Sequence, residues 1–190
     1  MKHVRIFGLL TLAAASLMAF ASSASGAPTL TSPSGTEYTG FVEATLESGS
    51  SALLKAGIED TCTASLVAGP IITNNETHAR GSVEQAGLKF EKCTKDTATL
   101  RGGELTISSA GVVTAFGFEV TVNDTGLGFS CIYGGGPTGT ALGTLTPGTP
   151  AKLNASTTKL KKISGSFFCA SEGTWTANYV VTTPGTLLLS

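Results

Sequence analysis

From Tyr38 onward the sequence alternates: apolar residues recur at every second position in short runs, and most runs end near glycine, proline or asparagine. A period of two is the signature of a strand with one buried face, and those terminators supply turn geometry. The strongest run lies between Phe167 and Val181, where Trp175, Ala177, Tyr179 and Val181 share one parity. No stretch after residue 27 combines a 3.6-residue period with helix caps over about ten residues. A chain patterned this way is confined to all-β architectures.

Read in order, the first strand carries Tyr38, Gly40, Val42, Ala44 and Leu46 on one face, and a short one follows within 51–58. Alternation returns over 61–68 through Cys62, Ala64 and Leu66, and Gly69-Pro70 is expected to stop it. Residues 73–80 are the most polar in the chain and read as a connection at the rim of the sheets. Leu88 and Phe90 face inward in the next strand; Cys93 has the opposite parity, which predicts a bulge or a strand end near Lys92. A strand over 97–107, carrying Leu100, Leu105 and Ile107, is interrupted at Gly102-Gly103. The clearest hairpin turns at 109–111 into an arm over 112–122, with Phe116, Phe118, Val120 and Val122 on one face. Phe129 to Tyr133, Thr138 to Leu145, 151–155, 160–163, the aromatic block and 187–190 complete the set.

About ten short strands at such spacings, separated by turns, predict an antiparallel two-sheet β-sandwich of immunoglobulin-like architecture. It is not a true immunoglobulin domain, because Trp175 follows Cys169 instead of lying between bridged cysteines. A closed barrel or a β-solenoid is the alternative.

The first residues have the layout of a secretory signal peptide: Lys2, His3 and Arg5, an apolar run from Ile6 to Phe20, then small residues through Ala27. Cleavage is expected at Ala27, with Ala24 as the alternative site, leaving one domain over 28–190 and no integral membrane segment. No cysteine stands near that site to carry a lipid. Without residues 1–27 the chain has 163 residues, ten Lys and Arg and 13 acids, a net charge of −3. No basic field remains for nucleic acid. All four cysteines, Cys62, Cys93, Cys131 and Cys169, lie in the exported part, where an even number reads as two disulfides. Three connectivities are open; Cys62 with Cys93 and Cys131 with Cys169 is favoured, because each pair joins strands close in order. Spacings of tens of residues with no CxxC argue against zinc.

Catalytic residue types are scarce. His78 is the lone histidine after residue 27, so any Ser-His-Asp triad must use it, and no nucleophile elbow accompanies it. It reads as a solvated loop histidine. Carboxylates that could pair for glycosidic hydrolysis are Glu43 with Glu47, Glu59 with Asp60, Glu119, Asp124 and Glu172, though nothing in the sequence marks a cleft. The glycines of 134–139 precede neither a Lys-Ser nor a helix and read as a hairpin loop, not a phosphate cradle. Asn75, Asn123 and Asn154 each begin an N-glycosylation pattern. Lys159, Lys161 and Lys162 form a basic cluster that could meet an acidic wall polymer but reads first as a solvated loop. Trp175 and Tyr179 would suit a carbohydrate platform, yet their parity assigns them to the core. No catalytic residue, cofactor or metal is expected from these residues.

The Ser-Gly-Thr-Glu-Tyr-Thr-Gly segment at 34–40, the four cysteines and the Gly-Thr-Trp-Thr-Ala-Asn-Tyr-Val-Val-Thr-Thr-Pro ending at 173–184 resemble a group of secreted actinobacterial proteins found in soil lineages such as the Solirubrobacterales. The resemblance covers most of the chain after residue 27. It implies an exported β domain with paired cysteines and carries no activity. A looser likeness to the bacterial alkane-oxidation activator family rests on a signal peptide followed by Gly- and Thr-rich β segments with cysteines. The functional expectation is a secreted or cell-envelope protein, not an enzyme, with a binding or structural role and a cell-wall polymer or another surface protein as partner. The alternative is a secreted carboxylate-dependent glycan hydrolase.

Overall fold

The structure, a computed structural model, describes residues 27–190 apart from positions 58, 84–86 and 125, and positions 96–101, 157 and 158 by their backbone alone. Residues 1–26, nearly all of the expected signal peptide, lie outside that description. The described chain is all β, with fifteen strands and no helix.

Pairing follows chain order and then closes. β2 (Phe41–Leu46) and β3 (Ala52–Lys55) lie end to end as a first stave, against β4 (Glu59–Asn74). A tight turn at 75–77 leads to β5 (His78–Val83), continued by β6 (Leu88–Cys93), and both pair with β4. β7 (Asp96–Arg101) and β8 (Gly103–Ser108) form the fourth stave; β9 (Val112–Phe116) and β10 (Glu119–Asp124) form the fifth. The sixth consists of β11 (Phe129–Gly134) and β12 (Thr140–Thr146). β13 (Lys152–Gly165) and β14 (Glu172–Thr183) are the seventh and eighth, and β14 pairs back onto β2 and β3. The result is an eight-stave, up-and-down antiparallel barrel, not a two-sheet sandwich.

That correction has one physical source: several signals read as strand ends are kinks inside longer strands. β4 runs through Gly69-Pro70. There the ladder on one side passes from β6 to β5, and a Cβ on Gly69 would lie 1.9 Å from the Ser82 carbonyl oxygen. Proline is tolerated where pairing is already interrupted. The polar stretch at 73–80 is therefore a hairpin, with only 75–77 outside the strands. The arm over 112–122 breaks at Gly117, whose φ is +61°, and parity flips there. Val113 and Ala115 face inward before it and Phe118, Val120 and Val122 after it, so Phe116 belongs to the outer side. Segments 151–155 and 160–163 are one strand with a register slip between Ala155 and Thr158. Near Lys92 the backbone turns left-handed, with φ of +52°, and β6 ends at Cys93, but its ladder with β4 keeps one register, so the parity change there is a strand-end distortion and not a bulge.

Inward side chains fill the barrel. Phe90 meets Trp175 edge to face at 5.5 Å, and Trp175 meets Tyr179 at 6.1 Å. An apolar cavity of about 60 Å³ lies between Ala44, Ile107, Val113 and Val181. One end, the cap, is closed by β1 (Leu30–Thr31) paired with β15 (Leu188–Leu189). Leu30 and Leu187 are fully buried there. Asn74 fastens the cap: its Nδ2 donates to the carbonyls of Leu30 (2.6 Å) and Tyr38 (3.0 Å), and its Oδ1 accepts from the Leu30 amide (2.9 Å). The opposite end carries the turns at 94–95 and 166–171.

Candidate functional site

The loop 166–171 joins the two longest-paired staves, β13 and β14, and is tied down on both sides. The Cys131–Cys169 disulfide binds it to β11, and the Ala170 amide donates to the Ala56 carbonyl beside β3. Gly57, at φ +86°, is required for this approach, because a Cβ there would lie 2.8 Å from both the Ala170 nitrogen and the Phe168 oxygen. Beneath the loop the Tyr133 hydroxyl donates to the Ala56 carbonyl (2.7 Å), with the Ala170 carbonyl at 3.0 Å, and burial raises its pKa. Lys162 Nζ donates to the Ser166 carbonyl at 2.8 Å and reaches that of Cys169 at 3.5 Å.

This scaffold holds two adjacent phenylalanines in solvent: Phe167 is 85% exposed and Phe168 60%. Phe168 packs against Phe167 at 3.9 Å between ring centroids and against Phe129 at 5.7 Å. Leu127, 72% exposed, stands in the neighbouring turn between β10 and β11, and Ile163, 52% exposed on β13, lies over Gly134 on the barrel wall. Contiguous exposed apolar side chains on a folded domain mark an interaction site, whereas isolated ones do not.

In sequence Phe167 and Phe168 stand only as the start of the aromatic stretch, and no exposed role is assigned to them. The available signal was their adjacency, since consecutive residues on a strand point to opposite faces. Trp175, Ala177, Tyr179 and Val181 do face the core. Both favoured disulfides, Cys62–Cys93 and Cys131–Cys169, are present.

The carboxylates are dispersed. Glu43 accepts from Thr182 Oγ1, Glu47 pairs with Lys152 at 2.6 Å, and Glu59 pairs with Lys55 at 2.9 Å. Glu119 lies between Arg101 and Gly134 in the ladder, and Glu172 opposite Lys161. Asp60 and Asp124 are buried and meet at Lys95. Asp60 Oδ1 accepts from the Lys95 amide (2.8 Å) and Thr94 Oγ1 (3.0 Å), while Asp124 Oδ1 accepts from the Leu127 amide and its Oδ2 lies 3.6 Å from Lys95 Nζ. These two carboxylates fasten turns. Asp60 also lies within 4.8 Å of the Cys62 and Cys93 sulfurs, but those are bonded to each other and offer no thiolate.

His78 opens β5, with Nδ1 2.9 Å from Thr77 Oγ1. Asn75 Oδ1 accepts from the amides of Thr77 and His78. Asn123 is the next-to-last residue of β10, and Asn154 Nδ2 donates to Asn178 Oδ1 on the outer wall. The basic cluster divides: Lys159 and Lys161 point outward, whereas Lys162 braces the loop. A depression of about 350 Å³ on the outer wall, bordered by Thr45, Thr63, Lys89 and Glu91, brings no buried ionisable group together. No family model matches the chain, and no curated protein or solved structure matches it.

Proposed function

We propose that this chain is a non-enzymatic protein of the cell exterior or envelope that attaches to an envelope component through its aromatic tip. The observation that carries the reading is the pair Phe167 and Phe168, held in solvent on a loop that is disulfide-bonded on one side and hydrogen-bonded on the other. Ordering a flexible loop on binding costs free energy, and a loop already fixed avoids that cost. Two disulfides fit an oxidising compartment. Among the described residues no helix is long and apolar enough to cross a membrane. The buried carboxylates are committed to turn amides, which weighs against a hydrolase built on them.

Fractionation of the native host tests the reading. Wild-type protein is expected to stay with the envelope through a salt wash, and the F167A/F168A variant to appear in the medium. Wild-type protein found free in the medium, or a variant retained like wild type, refutes it.

A further inference from the structure

Resting on the reading above that the tip is the attachment surface, we infer that its partner is a lipid surface, entered by apolar insertion of Phe167, Phe168 and Leu127 without selection for headgroup charge. The rings are the first argument. Phe168 stacks at tilts of 34° and 30° against Phe167 and Phe129, so its neighbours cover part of that ring, and Phe167, 85% exposed, projects from the cluster as a single ring and not as the flat platform a sugar needs. The second is chemistry: Phe167, Phe168 and Leu127, the strongly exposed apolar side chains of this loop and the neighbouring turn, carry no group that could hydrogen-bond a glycan hydroxyl.

Size is the third. With roughly 150–250 Å² per whole aromatic side chain, the exposed part of this cluster is on the order of 400 Å². A stable protein interface needs about 800 Å² from each partner, with a matching surface, so a second copy of this chain is poorly served by so small a convex tip. A bilayer needs no matching shape; it accepts apolar side chains at the headgroup boundary. Charge is the fourth. Lys95 is engaged by Asp124, Lys55 by Glu59 and Lys162 by loop carbonyls, while Lys161 stands opposite Glu172 and Lys159 faces solvent. No net basic field surrounds the tip, so insertion must be driven by apolar area and must be insensitive to salt.

The test is co-sedimentation of the purified protein with vesicles of phosphatidylcholine, and with vesicles of equal parts phosphatidylcholine and phosphatidylglycerol, at low and high salt. Wild type is expected to bind both at either salt concentration. The F167A/F168A variant should lose at least tenfold in apparent affinity, because removing two exposed rings forfeits well over the ~1.4 kcal/mol that a factor of ten represents. Ile72→Ala, 56% exposed on β4 near the cap end, should bind like wild type. The inference is overturned if wild type stays in the supernatant with every vesicle, if the double variant sediments normally, or if binding needs phosphatidylglycerol and disappears in salt. A Phe-dependent dimer in light scattering, or Phe-dependent binding to isolated wall polymer without vesicle binding, overturns it in favour of those partners. If vesicle binding fails while retention in the host still depends on Phe167 and Phe168, the lipid inference falls and the attachment role stands; if both fail, the attachment role falls too.

Discussion

Ser65 sits where two demands meet inside the barrel. Its hydroxyl is 2.7 Å from the Lys89 carbonyl oxygen and 2.8 Å from Tyr179 Oη. Serine has one hydroxyl hydrogen, and a carbonyl can only accept, so that hydrogen goes to Lys89 and Tyr179 must donate to Ser65. The two possible truncations are therefore unequal. Tyr179→Phe removes a donor and leaves Ser65 still bonded to Lys89, which costs about 1–1.5 kcal/mol for one net hydrogen bond. Ser65→Ala removes both bonds and leaves a tyrosine hydroxyl, on a residue 1% exposed, without its acceptor. An orphaned buried polar group adds its desolvation penalty, so that loss is about 2–4 kcal/mol. In the Tyr179→Phe background there is no hydroxyl to orphan, and Ser65→Ala should cost only about 1 kcal/mol. Urea unfolding at neutral pH, followed by fluorescence of the buried Trp175, measures all three variants. Equal losses for the two single variants, or a double variant additive to within about 0.5 kcal/mol, would refute the assigned donor direction.

Alkali should expose the same residue: burial raises the Tyr179 pKa far above that of a free tyrosine, and burial raises those of Tyr133 and Tyr38 as well. Because the folded-state pKa is the higher one, stability should hold below about pH 10 and then fall by up to ~1.4 kcal/mol per pH unit as the unfolded tyrosine ionises first. Urea midpoints across that range should show the fall, and Tyr179→Phe should flatten it; an unchanged slope would contradict the sign. Asn74→Ala deletes three bonds that fasten the cap and should cost about 2–3 kcal/mol. Hydrogen exchange should accelerate at Leu30 and Leu187 before β13 and β14 respond, and uniform acceleration would count against a local role. Gly143→Ala puts a Cβ 1.8 Å from the Asn154 carbonyl oxygen and should cost above about 3 kcal/mol, whereas Gly185→Ala meets nothing within 4 Å and should stay within about 0.5 kcal/mol. Comparable thermal midpoints for these two variants would show that the β12–β13 approach is looser than its geometry.

The strand faces were legible wherever alternation ran unbroken, as at Trp175 to Val181 and at Leu88 and Phe90, and so was the pairing of cysteines close in order. Closure was not legible, because a bulge within a strand and the end of a strand leave the same mark in sequence. At Gly117 the inward set passes from Val113 and Ala115 to Phe118 and Val120; between Ala155 and Leu160 it passes from odd to even positions across a polar stretch. The β13–β14 ladder runs on across the slip between Ala155 and Thr158, since a ladder needs only N–H and C=O groups and a bulge leaves residues unpaired; at Gly117 pairing lapses between Phe116 and Glu119 and resumes with β7 and β11. Read as an end, the break between 155 and 160 divides one strand into two short ones and favours two sheets, whereas 112–122 reads as unbroken and puts Phe116 on the wrong face. Read as bulges, such breaks merge the pieces into eight long staves and add the local twist that a closed barrel requires.

The tip was illegible for a different reason, which also bears on why it stands in solvent. Sequence equates an aromatic residue with a core residue, and here the core is already supplied: Phe90, Phe118, Tyr133, Trp175 and Tyr179 are all buried inside. The cavity of about 60 Å³ is lined by none of them; it is bounded by aliphatic residues of the cap half, such as Ile71, Ile107 and Leu187. At the other end Tyr133 plugs the mouth, with its hydroxyl bonded to the loop's own Ala170 carbonyl and to Ala56. Bringing Phe167 or Phe168 inward would require displacing Tyr133 and releasing the loop from both the Cys131–Cys169 bridge and the close contact at Gly57. The same bonds that close the barrel therefore keep two rings outside it, and their exposure follows from the architecture itself.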